Sequence, residues 1–147
     1  MSYKKPGWFT VNVFNRGVAL ATRAGLSVRG SRILEVRGRT SGRLYQTPVN
    51  LLRHEGRTYL VAPRGETQWV RNLRVAGGGT LLLGHAREPF TAVELTDAEK
   101  PNVLRAYLRR WRMESGVFFG GMRADSPDAE IQRIAPDHPA FVIESRP

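Results

Sequence analysis

The chain has no cysteine among its 147 residues. That excludes a disulfide framework, a thiolate metal site and a cysteine nucleophile together, and it fits a reducing cytoplasm. The only histidines are His54, His85 and His138. They fall in turn-like stretches without HxxxH or HExxH spacing, so no metal site is expected. No serine stands in a GxSxG elbow, no GxGxxG joins a strand to a helix, and no Gly-Lys-Ser/Thr closes a Walker loop. No apolar run approaches the roughly 18 residues of a membrane span, and no signal peptide is visible. Cytoplasmic localisation is the expectation.

Acidic residues are scarce in the first half only. Residues 1–75 hold fourteen Lys and Arg against three acids, Glu35, Glu55 and Glu66, for a net +11. Residues 76–147 hold nine against ten, for a net −1. The whole excess behind the overall +10 thus lies in the N-terminal half. Such a one-sided field attracts polyanions, whether phosphorylated cofactors, nucleic acid or acidic lipid, or is simply a solvated basic face. Hydrophobic residues make up 41%, as in an ordinary globular domain, and no linker or repeat divides the chain. One domain over residues 1–147 suffices, with 1–29 as an N-terminal helix and lead-in.

In that lead-in, Trp8, Phe9, Val11, Phe14, Val18 and Leu20 recur at helical spacing after Pro6, and Gly25 ends the pattern. With Lys4, Lys5, Arg16 and Arg23 this stripe could rest on a membrane surface, pack on the domain, or meet a second copy in a homodimer. The sheet begins after Gly30. Strands are expected at Ile33–Val36, Leu44–Arg53 and Thr58–Ala62, the last two joined by the turn His54–Arg57. Pro48 inside the second strand implies a free edge or a bulge. A short helix follows Thr67 as N-cap and ends near Ala76, and Gly77, Gly78 and Gly79 then break the chain. A second hairpin pairs Thr80–Leu83 with Pro89–Leu95. Thr96 and Glu99 form a capping box for the next helix, with Pro101 in its first turn. A helical turn at 128–134 and a strand at 140–144 close the chain. Six strands, mostly joined by tight turns, describe a mainly β fold with flanking helices, an antiparallel barrel rather than a doubly wound sheet.

Three segments carry the chemistry. The turn Arg37, Gly38, Arg39, Thr40, Ser41, Gly42 and Arg43 offers close backbone approach, hydroxyl donors and forked cations, as a phosphate site requires. Ala62, Pro63, Arg64 and Gly65 form a second basic glycine turn. Trp69 and Asn72 lie three apart on the short helix and share a face. Trp69 could wall an aromatic ring or serve as core, and Asn72 could bind phosphate, bind a ring edge, or cap the helix. No acid, base or nucleophile is evident, which points to a bound cofactor as the source of reactivity.

The blocks RGRTSGRLYQTPVNL, APRGETQWVRNLR and APDHPAFVIE resemble the deazaflavin-dependent nitroreductase family of actinobacterial oxidoreductases. The resemblance is strongest over 30–95 and in the closing strand. It implies a split β-barrel of the flavin-reductase kind, with coenzyme F-420 as cofactor. The reaction it implies is hydride transfer to a small acceptor: a quinone, a nitroaromatic or an activated alkene. On the same resemblance the basic turn would hold the phosphate and the start of the acidic tail. Gln46, Thr47 and Pro48 would line the ring with Ala62–Gly65, and Trp69, Asn72 and Leu73 would border it. Members active on nitroimidazoles present tyrosines before the last strand. This chain has Phe118 and Phe119 there, a substrate pocket without hydroxyls. The alternatives are a split barrel that uses flavin mononucleotide, a protein that binds a cofactor without turnover, and a basic nucleic-acid module. The last lacks exposed aromatics interleaved with its cations.

Overall fold

The computed structural model describes residues 31–111, 119 and 121–146. The expected first helix and Phe118 lie outside them. Six strands form a closed antiparallel barrel: β1 (Ser31–Arg37), β2 (Leu44–His54), β3 (Arg57–Val61), β4 (Gly78–Leu83), β5 (Ala86–Glu94) and β6 (Ala140–Ser145). Their order around the barrel is β1-β2-β3-β6-β5-β4. Helix α1 (Gln68–Ala76) lies between β3 and β4, and α2 (Lys100–Arg110) and α3 (Asp128–Ile134) precede β6.

Alternation along the strands sorts the apolar side chains into two cores, because successive residues of a strand face opposite sides. Leu34, Val36, Leu60, Leu81, Phe90, Phe141 and Ile143 fill the barrel, and Val70 and Leu73 of α1 join them. Leu52, Tyr59, Val61 and Ala140 point outward and meet Val103, Leu104, Tyr107 and Leu108 of α2 and Ile131 of α3. Each large side chain so buried contributes roughly 1.5–3 kcal/mol. Helix α1 therefore stoppers one barrel end, and α2 and α3 cover one wall. The end of α2 is tied down where Trp111 Nε1 donates to the Leu51 carbonyl at 3.0 Å.

The capping box is present: Thr96 N–H donates to Glu99 Oε1 at 2.8 Å, ahead of α2 with Pro101 in its first turn. Two local expectations are corrected. Gly78 and Gly79 do not break the chain but open β4, and β5 begins at Ala86 rather than Pro89. The glycines are needed for close approach. A Cβ on Gly78 would lie 2.3 Å from the Phe90 carbonyl oxygen, and one on Gly79 would lie 2.6 Å from that of Glu35.

The barrel is split beside β2. Residues 44–50 of β2 pair with β1, but β3 pairs only with Leu51–His54. If the β2–β3 register continued, Pro48 would stand opposite Pro63 and Thr47 opposite Arg64. Neither proline has an N–H to donate, so the ladder, which stops at Leu51 and Leu60, cannot extend through them. The free edge expected from Pro48 is this one.

Candidate functional site

The split, the β1–β2 turn and α1 meet at the same end of the barrel. Gly38 N–H donates to the Arg43 carbonyl at 2.6 Å and Gly42 N–H to the Gly38 carbonyl at 3.1 Å, which closes the turn. Gly42 takes φ 74°, a conformation suited to glycine. Tyr45 covers the turn. Its ring lies where a Cβ on Gly38 would be, 2.5 Å from Cε2, and its hydroxyl is 3.0 Å from Ser41 Oγ.

Asn72 fastens this turn to α1. Its Oδ1 accepts from Arg39 N–H at 3.1 Å and from Arg39 Nη1 at 2.7 Å. Asn72 is thus neither a cap nor a free acceptor, and it is buried at 5% exposure. Trp69 faces the barrel core instead, tilted against Phe141 with ring centroids 6.1 Å apart.

Among the described residues no acid compensates the charges of the turn. Arg37 donates to the Gly42 carbonyl and Arg39 to the Asn72 amide, both neutral acceptors. Arg43 has no side-chain hydrogen bond or ion pair among the described residues, and neither does Thr40. The nearby acids are engaged elsewhere. Arg87 donates to Glu35 at 2.7 Å and Gln46 does so at 2.9 Å. Glu66 pairs with Arg74, whose guanidinium also grips Glu94 through two 2.8 Å bonds. The hydrogen bond from Arg74 holds the Glu66 carboxyl below the usual carboxylate range. Three guanidiniums on a glycine turn without carboxylate partners suit a phosphate or carboxylate-rich ligand.

The second basic turn is set against the segment before β6. Ala62 N–H donates to the Pro139 carbonyl at 2.8 Å, and Gly65, at φ 86°, approaches the Asp137 carbonyl. His138 lies beneath, with Nδ1 3.4 Å from the Ala62 carbonyl and its ring stacked on Phe119 at 4.1 Å. Burial pushes the His138 imidazole down, so it is neutral near pH 7.

Not every residue expected at the site faces it. Ala62 and Leu73 are core residues at 1% exposure. Gln46 is committed to Glu35 on the outer face of β2. Phe119 is 2% exposed and packs between Tyr107 and His138, so the structure places it in the core and not on an open pocket wall. Thr47, Pro48, Pro63, Arg64 and Gly65 remain along the split, with the turn beside them. Two residues were missed. Tyr45 carries one signal in the sequence, its place two residues before Thr47 on the same strand face. Thr67 was expected only as the helix N-cap; it holds that position but makes no capping bond, its Oγ1 buried without a hydrogen-bond partner at the N-terminus of α1. That orphaned hydroxyl, the unpaired Arg43 and the open strand edge are what a bound anionic cofactor would use.

A split antiparallel barrel with a cationic turn at its open edge is a fold and site that can hold a small anionic cofactor. The sequence matches the family model described as F420H(2)-dependent quinone reductase over residues 11–115, more than two thirds of the chain. The chain belongs to that family. It is an oxidoreductase and its cofactor is coenzyme F-420. Solved structures share the fold. An F420-H2 dependent reductase is 18% identical, with a TM-score of 0.56 over 79% of this chain and 95% of its own. A protein described as a domain-swapped dimer is 18% identical, with a TM-score of 0.57 over 93% and 97%. A conserved hypothetical protein of Mycobacterium tuberculosis is 17% identical, with a TM-score of 0.56 over 88% and 80%. No curated protein matches. Among the described residues no helix is long and apolar enough to cross a membrane.

Proposed function

We propose that this single-domain protein reduces a quinone-type acceptor with hydride from reduced coenzyme F-420, bound along the split with its phosphate on the Arg37–Arg43 turn. The observation that supports this reading is the turn itself: Arg43 is unpaired among the described residues, and Asn72 holds Arg39 so that the loop is already formed before any ligand arrives. Preorganisation of this kind lowers the ordering cost of binding.

When bound, the reduced deazaflavin ring supplies the hydride. The residues of this chain do the rest. The glycines let the turn close on itself, while Arg37, Arg39 and Arg43 supply charge to a phosphate, and Arg43 can form a forked bond. Thr47, Pro48 and Pro63 give the ring an edge without competing N–H donors at the two prolines. The exposed Tyr45, at 50% and on the strand face of Thr47, offers an aromatic approach for a flat acceptor beside the ring. The proton is taken from water: among the described residues Glu35 and Glu66 are bound to arginines, and His138 is buried and neutral. Nitroaromatics and activated alkenes are acceptors of the same electrophilic kind. The chain is further proposed to form a homodimer, which the neighbour described as a domain-swapped dimer supports and light scattering would check.

The test is a fluorescence titration with oxidised coenzyme F-420 beside flavin mononucleotide, followed by turnover of the reduced deazaflavin with menadione, a nitroaromatic and an enone in parallel. Tight deazaflavin binding with fastest turnover on menadione is expected. Preference for flavin mononucleotide, or binding without oxidation by any quinone, would overturn the reading.

A further inference from the structure

At the barrel end away from the cationic turn, the strands enclose a cavity of about 560 Å³. It lies where β1 and β5 start and where β2 and β6 finish, roughly 20 Å from the turn along a seven-residue strand. Its floor is the lower end of the barrel core, with Leu81, Phe90 and Ile143 among its residues. Its rim carries four arginines, Arg32, Arg53, Arg57 and Arg110, against two acids, Glu88 and Glu144. Among the described residues Arg53 donates only to the neutral hydroxyl of Thr58, at 2.7 Å. Arg57 forms no hydrogen bond or close ion pair among the described residues, its charge felt only at longer range by Glu99, and neither rim acid pairs with it or with Arg53.

We propose that this second mouth of the barrel binds a small amphiphilic anion, its apolar body on the floor and its carboxylate or phosphate head on Arg53 and Arg57. Volume and composition favour such a ligand over the alternatives. The cavity falls in the roughly 300–1,000 Å³ range of small-molecule sites. A purely apolar guest would leave the Arg53 and Arg57 guanidiniums unmatched, and a bare phosphate would leave the apolar floor wet. The cofactor's ring cannot fill it while its phosphate occupies the distant turn, so the two sites can be filled together. Arg53 and Arg57 flank the β2–β3 hairpin, with Arg53 paired to Thr58 and His54 to Arg57 in the ladder. Short, rigid strands therefore fix their backbone positions, and only the side chains need to adapt.

The full chain would be titrated calorimetrically with octyl phosphate, with octanoate, octanol and inorganic phosphate in parallel. One amphiphile per chain is expected, bound at least tenfold tighter than octanol or inorganic phosphate, and octanoate shows whether a carboxylate head serves as well. The pair of exposed substitutions Arg53→Ala and Arg57→Ala should weaken binding at least tenfold while leaving the melting temperature and the coenzyme F-420 titration unchanged. Arg43→Ala should leave octyl phosphate binding unchanged. Absence of binding, equal binding by the double variant, or competition by coenzyme F-420 would each overturn the proposal. Because the readout needs no cofactor, its failure would be separate from any failure of the proposed reductase reaction.

Discussion

Asn72 and Arg39, thirty-three residues apart, are joined by two hydrogen bonds to one oxygen, one from the backbone and one from the guanidinium. This clasp sets the cationic turn against α1, and α1 in turn is fixed in the barrel by Val70 and Leu73. The turn's position is therefore as firm as the core beneath it.

Asn72→Leu should cost about 1–3 kcal/mol of stability, because Arg39 N–H loses its acceptor in a buried setting. Asn72→Asp keeps the acceptor and pairs with the guanidinium. It should melt near the parent temperature yet bind coenzyme F-420 more weakly, since the turn's charge is then partly neutralised. Thermal melts and cofactor titrations on both variants check this; equal affinity in Asn72→Asp would count against the phosphate site.

Arg43→Ala should leave stability within about 0.5 kcal/mol, as expected of an exposed and unpaired side chain. Its cofactor affinity should fall by roughly 1.5–3 kcal/mol, the worth of a hydrogen bond to a charged group. The parent's affinity should also drop with added salt more steeply than the variant's, which titrations at two ionic strengths would show.

Thr67→Val keeps the shape and removes the buried hydroxyl that lacks a partner. The protein without cofactor should be unchanged or more stable by up to about 1 kcal/mol, since a desolvated polar group is gone. If the hydroxyl meets the cofactor, affinity falls while stability rises. Chemical denaturation with and without coenzyme F-420 separates the two effects.

His138 predicts a pH dependence of stability. Burial depresses its imidazole below the ordinary value of 6.5, with the Ala62 carbonyl and Asp137 opposing and Lys100 adding to the effect. Below pH 6.5 the unfolded chain takes up a proton that the folded chain resists. This contribution is therefore complete above that pH and is lost as the pH falls towards the folded value, by at most about 1.4 kcal/mol per pH unit. Denaturation between pH 7.5 and about 5 should show the loss, and His138→Gln should flatten it.

What could be read from the sequence follows the range of the interactions. Local rules found the Thr96–Glu99 box, the strand before Pro63 and the glycine turn, because each depends on residues within a few positions. The split was legible through Pro48, though its counterpart Pro63 became meaningful only once the β2–β3 register was known. Gly78 and Gly79 looked like a break because nothing nearby shows that Phe90 and Glu35 will press against them. Gln46 looked available because its partner Glu35 is also held by Arg87, fifty-two residues away from that carboxylate. Asn72 was read as a ligand for phosphate or a ring edge, or as a cap, and its actual partner Arg39 depends on tertiary docking.

Pro48 also protects the molecule from its own kind. An uncovered strand edge ordinarily offers a row of donors and acceptors to any passing extended chain, and so invites aggregation. Along residues 44–50 that row is interrupted at Pro48, and a strand arriving from a second molecule would find a missing donor where it tried to register. The protein can thus keep one edge open for a cofactor, even when none is bound, without that edge becoming a template for fibres.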